Sequence, residues 1–98
     1  MTAIEQNNVT VTTAGTQIQI TSTPTPIKSV VFIALTTNTG LIYLGESDVA
    51  STKGFPRSAG QSLVFEMDTE VLDLSKFWVN SAVNGEGVAY FAVLKHGA

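Results

Sequence analysis

One imidazole and a short row of carboxylates are the side chains with which catalysis could begin in this chain. His96 is the single histidine, and a serine-type relay needs an imidazole held between a nucleophile and a carboxylate. Its position, third from the end of the sequence, is where chains fray, so it is expected as an exposed tail residue. Glu66, Asp68 and Glu70 occupy alternate positions around the end of a strand-like segment and share the face opposite Phe65 and Met67. Carboxylates so placed can hydrolyse glycosides, but on an open strand end they are expected to form a solvated rim. Together with Glu46 and Asp48 they also offer hard oxygen ligands to calcium, at spacings that match no calcium loop. Trp78, Tyr43 and Tyr90, with Asn80 as a polar neighbour, supply the flat rings on which a sugar could stack. Such rings equally belong in a core or an interface, where they bury a large area at low entropic cost. Gly45, Gly54, Gly60, Gly85 and Gly87 match neither a phosphate loop nor a dinucleotide fingerprint and read as turn residues. No catalytic residue, cofactor or metal site is expected.

The elements that must position these residues are strands. Val9 and Val11 alternate with Thr10 and Thr12, and after Ala14-Gly15 the period returns at Ile18 and Ile20, which predicts a hairpin. Thr21 to Pro26 then predicts a crossover between sheets, because its prolines cannot donate to a ladder. Ile27 to Thr37 is a strand, Asn38-Thr39-Gly40 a hairpin turn, and Leu41 to Leu44 its expected partner. Gly45 to Gly60 reads as the longest loop, with Phe55 as an anchor or a plug. Leu63, Phe65 and Met67 mark a further strand, Leu72 to Lys76 a turn or one short helical turn, and Phe77 to Ser81 another strand. Asn84 to Gly87 is the last tight connection before a closing strand that runs to Leu94. Seven or eight short strands at roughly ten-residue spacing predict an all-β antiparallel sandwich, jelly-roll-like, as a single domain over residues 1–98.

Two of these strands, Val30 to Leu35 and Val88 to Leu94, are apolar on both faces. A two-layer sandwich has one interior, so the second apolar face of each is expected to meet another subunit. Composition agrees with that expectation. Hydrophobic residues make up 44% and charged residues only 13% of the chain, against about 25% charged in ordinary soluble domains. The net charge of −3 and the scatter of Lys28, Lys53, Arg57, Lys76 and Lys95 leave no basic stripe for nucleic acid. With no cysteine there is neither a disulfide frame nor a thiolate metal site, and no run approaches the roughly 18 apolar residues of a membrane span. The expectation is a soluble protein made in the cytoplasm.

One further pattern runs through the middle and end of the chain. A strand ending Tyr43-Leu44-Gly45 is followed by Ser47-Asp48-Val49, then by Gly54-Phe55-Pro56, then by Gly60-Gln61-Ser62 opening the next strand, and finally by Leu74 through Tyr90. This frame resembles small virion proteins of tailed bacteriophages, of the head decoration or cement type; Arg57 departs from it, since an apolar residue is more usual after Gly-Phe-Pro. The resemblance implies a particle component without catalytic residues, made in the host cytoplasm and located in the virion. By the same analogy it implies a homo-oligomer, a trimer by preference, that binds the major capsid protein or another virion protein. Phe55 and Arg57 are the expected loop contacts, with Trp78, Tyr43 and Tyr90 as further interface candidates. A tail, neck or fibre component and a carbohydrate-binding β-sandwich are the alternative readings, the latter requiring an exposed Trp78.

Overall fold

The computed structural model describes residues 4–66 and 72–94. They form nine strands and one turn of 3-10 helix: β1 (Ile4–Val11), β2 (Ile18–Gln19), β3 (Pro26–Ala34), β4 (Ile42–Gly45), β5 (Phe55–Arg57), β6 (Ser62–Glu66), β7 (Leu72–Asp73), η1 (Leu74–Lys76), β8 (Trp78–Ser81) and β9 (Glu86–Leu94). The strands make two antiparallel sheets, a five-stranded one in the order β1-β9-β3-β6 with β7 also on β3, and a four-stranded one in the order β2-β8-β4-β5.

The topology is that of one long antiparallel ribbon rolled up on itself. Its nested pairs are β4 with β5 at the closed end, then β3 with β6 and β7, then β2 with β8, and β1 with β9 at the open end. Lateral pairing of β3 with β9 and of β4 with β8 joins the turns of the roll into sheets. This is the strand order of an eight-stranded jelly roll, with the two-residue β7 added.

Several expected pairings are corrected by this arrangement. Val9–Ile20 is not a hairpin: β1 lies in the five-stranded sheet against β9, and β2 in the other against β8. Asn38 to Gly40 does not close a hairpin either, since β4 pairs with β5 and β8 and never with β3. The connection after β8 likewise changes sheet, because β9 lies between β1 and β3. Connections of the roll pass from one sheet to the other except at β4–β5 and β6–β7, and β4–β5 is the one consecutive pair that shares a ladder among the described residues. The predicted crossover at Thr21 to Pro26 does connect the two sheets, and the short helical turn forms at η1. The Gly45–Gly60 segment contains β5, so it is a loop only in part.

Alternation sorts the side chains as strand geometry requires. Val30, Phe32 and Ala34 of β3 and Val88, Tyr90 and Ala92 of β9 are buried, and they pack with Val11, Ile20, Ile27, Ile42, Leu44, Leu74 and Val79 in one core. Phe32 lies at its centre, with ring centroids 5.4 Å from Phe77, 6.0 Å from Phe65 and 6.4 Å from Tyr90.

Side-chain hydrogen bonds tie down the crossovers. Asp73 accepts from the Thr25 backbone N–H and from the N–H and hydroxyl of Ser75, and these donors hold its carboxyl below the usual carboxylate range. Glu86 accepts from the N–H groups of Gly40 and Thr39 and from the Thr39 hydroxyl, with the same effect on its ionisation. Buried Asn38 donates to the Gly87 carbonyl at 2.8 Å and accepts from its N–H at 3.3 Å.

Candidate functional site

β3 and β9, the strands that are apolar on both faces, are neighbours in the middle of the five-stranded sheet. Their inward residues fill the core, so their outward residues adjoin on the other side. The register lays them out in rows across the sheet: Gln6, Phe91, Val31 and Val64; then Asn8, Ala89, Ile33 and Ser62; then Ile4, Val93, Ser29 and Glu66. Ile4, Ile33, Val64 and Phe91 are 39%, 41%, 59% and 42% exposed, and Val31, Ala89 and Val93 are half-buried among them. A shallow depression of about 590 Å³ opens over β1, β9 and β3, with Val31, Ile33 and Phe91 on its apolar side and Gln6 and Asn8 on its polar side. Glu66 is the one charged residue in these rows, and the remaining polar members are amides and hydroxyls. The face is therefore an apolar patch with a polar border that is neutral except at Glu66.

A second apolar hollow lies at the mouth of the sandwich, where edge strands β5 and β6 come together. Phe55 extends from β5 towards Phe65 of β6, edge to face at 6.3 Å, and Phe65 packs on Phe77 with centroids 5.0 Å apart and the rings tilted by 53°. These rings and Leu72 wall a groove of about 480 Å³ whose rim carries Glu46, Asp73 and Lys76. Phe55 is 53% exposed, so its ring closes one side of the groove and leaves the rest of its surface open. Arg57, three positions from Gly54 and two from Phe55 in sequence, donates from Nε to the Ser62 carbonyl at 2.9 Å and from a terminal nitrogen to the Pro56 carbonyl at 2.8 Å. The guanidinium thus bridges the edges of the two sheets, work that an apolar side chain at this position could not do.

The rings proposed as a sugar platform do not assemble into one. Tyr90 faces the core, and its hydroxyl donates to Glu5 at 3.2 Å; burial, then the Glu5 charge, pushes the phenol up to about 12. Trp78 and Tyr43 lie on the four-stranded sheet, where Trp78 pairs with Gln19 and Gly45, and Tyr43 with Asn80 and Pro56. Trp78 is half-buried beside a groove of about 400 Å³ bordered by Gln19, Glu46, Ser47, Ser75 and Lys76. Asn80 is a strut rather than a ligand group: it accepts from the Gly15 and Ser81 N–H groups and donates to the Val49 carbonyl, fastening two loops over the sheet.

The carboxylates are likewise occupied or apart. Asp48 forms an exposed ion pair with Lys53, whose ammonium holds its carboxyl below the usual carboxylate range, while Glu46 lies in the loop after β4 and Glu66 ends β6 of the other sheet. Among the described residues no group of three His, Asp or Glu side chains is placed to hold a metal ion. His96, Met67, Asp68 and Glu70 lie outside the described residues. Among the described residues no helix is long and apolar enough to cross a membrane. Compared with protein-family models, with curated proteins and with solved structures, the chain matches none.

The double-sided apolarity of β3 and β9 was the signal for the outer face, and it lies plainly in the sequence. The mouth groove was not foreseen, because it depends on β5 and β6 meeting across the two sheets.

Proposed function

We propose that this chain is a structural protein of a phage particle, of the decoration or cement kind, which stabilises the shell by burying apolar surface and performs no chemistry. The observation that carries the reading is the outer face of β1-β9-β3-β6, an apolar patch built into the central strands of the sheet and rimmed by polar residues, the kind of surface that marks an interaction site. The spacing of the Tyr-x-Gly, Ser-Asp-Val and Gly-Phe-Pro segments supports it, as does a jelly roll, an architecture used by viral coat proteins among many others. In this reading the chain is an oligomer located in the virion, and Phe55 at the sandwich mouth adds a second apolar contact turned towards the major capsid protein. Quantitative mass spectrometry of purified particles tests it: hundreds of copies per particle are expected. A dozen or fewer would move the chain to the vertex, neck or tail, and absence from particles would end the virion reading.

A second reading, as a carbohydrate-binding module, rests on Trp78, which is half-buried where that reading expects an exposed ring. Its ring borders a groove with an amide, a carboxylate and an ammonium, groups that could bind sugar hydroxyls beside a stacking surface. As Trp78 is the only tryptophan, a glycan-dependent change in intrinsic fluorescence would report such binding directly. An unchanged spectrum across a broad glycan panel would dismiss it.

A further inference from the structure

We propose that the outer face of the five-stranded sheet is covered by the same face of a second copy, in a two-fold pair. The inference deepens the assembly reading above by naming the partner of that face.

An isologous interface must be complementary to itself, because each residue of the patch meets the patch again. A border carrying one sign of charge would set like charges against one another. Here the border is Gln6, Asn8, Ser29 and Ser62, whose amides and hydroxyls both donate and accept, so each can bond to its own kind across a two-fold axis. Glu66 stands at one end of the face, opposite Ser29, with Lys28 next in sequence. The patch sets exposed Val64 beside a shallow depression lined by Val31, Ile33 and Phe91.

Size agrees. Three strands of about eight residues and the five-residue β6, at about 4.8 Å spacing and 3.3 Å per residue, give a sheet of roughly 460 Å² in projection. Side-chain relief raises the accessible area towards the roughly 800 Å² per partner of a standard stable interface. The four-stranded sheet offers no matching apolar face for a head-to-tail arrangement, since the loop carrying buried Val49 covers it beside Gly45 and Gly54. Two such faces can stack as sheets do in a sandwich, about 10 Å apart with the strands near 30°. The four-stranded sheets and the Phe55 groove are then left on the outside of the pair.

The test is the mass in solution by light scattering with size exclusion, from about 1 to 100 µM chain. The expected species is twice the 10.4 kDa chain, and Phe91→Glu or Val64→Glu should halve the observed mass while far-UV circular dichroism stays unchanged. Two variants are used because Phe91 lies on a central strand and could disturb folding, whereas Val64 lies on edge strand β6. Phe55→Ser, away from the face, should remain a pair. A wild-type monomer throughout the range, a trimer, or a pair unaffected by folded Val64→Glu would each overturn the proposal. A pair in solution from a chain missing in particles would overturn the virion reading and leave this one standing.

Discussion

At the scale of single residues, the least replaceable position is Gly87. It sits on β9 opposite Thr10 of β1, and a Cβ there would lie 2.0 Å from the Val9 carbonyl oxygen and 2.9 Å from the Thr10 Cα. Those are backbone atoms that cannot swing aside, so glycine is required by close approach of the chains. Gly87→Ala should cost roughly 2–4 kcal/mol, read as the shift of a urea unfolding midpoint; Gly60→Ala, with open space around its Cβ, is strained only by its positive φ of 81° and should cost less. Glu86, beside Gly87, makes a prediction about acid. Its carboxylate is stabilised in the fold by the Gly40 and Thr39 donors, so its ionisation lies lower in the folded than in the unfolded chain, as does that of Asp73. The unfolded chain therefore takes up protons first as pH falls. The stability from these groups is complete above the ordinary carboxylate range near pH 4 and is lost as pH drops through and below it. Thermal melts from about pH 6 to 3 should show a falling midpoint, and Glu86→Gln should flatten that fall.

At the scale of elements, the strands were legible and their partners were not. Val9-Thr10-Val11 and Ile18-Gln19-Ile20 announce two strands by period alone, yet period fixes only which side of a strand faces inward. A strand in either sheet has the same inside, so the pattern fits a hairpin and a sheet crossing equally well. The missing information sits in corners such as the one after β1, where Gly15 donates its N–H both to the Ser81 carbonyl and to the Asn80 side chain. The outer face was readable for the opposite reason. Double-sided apolarity is a local property of β3 and β9 and does not depend on knowing their neighbours. Asn80 tests the corner argument, because it joins β8 to the loops at Gly15 and Val49 through bonds of 3.1 and 3.2 Å while 3% exposed. Asn80→Ala leaves the Val49 carbonyl without its side-chain donor and the Gly15 N–H with the Ser81 carbonyl alone, and should cost about 1–3 kcal/mol. At roughly 4–8 °C per kcal/mol for a chain of this size, calorimetry would resolve the drop. A variant that melts with the wild type would show that water replaces the strut.

At the scale of the whole molecule, a rolled ribbon makes almost all of its pairing non-local. β4 and β5 are separated by the short Glu46–Gly54 loop, but β1 pairs with β9 such that Ile4 meets Val93 and Val11 meets Glu86. Closing the outer ladders therefore requires most of the chain to be ordered before they repay the loop entropy. The core depends on that closure, because Phe32 touches rings contributed by β6, β9 and the segment before β8. Refolding should accordingly be slow, with relaxation in milliseconds to seconds rather than microseconds. Trp78 is well placed to report it, as it pairs with both β2 and β4. Stopped-flow fluorescence after denaturant dilution would follow assembly of the four-stranded sheet. If closure of the roll limits the rate, truncating Val88 to Ala in the β9 core should slow folding as well as speed unfolding, since β9 pairs with both β1 and β3 and its docking closes the roll. Relaxation complete within the mixing time, or a Val88→Ala effect confined to unfolding, would place the barrier earlier, at the β4–β5 turn, with β9 docking after it.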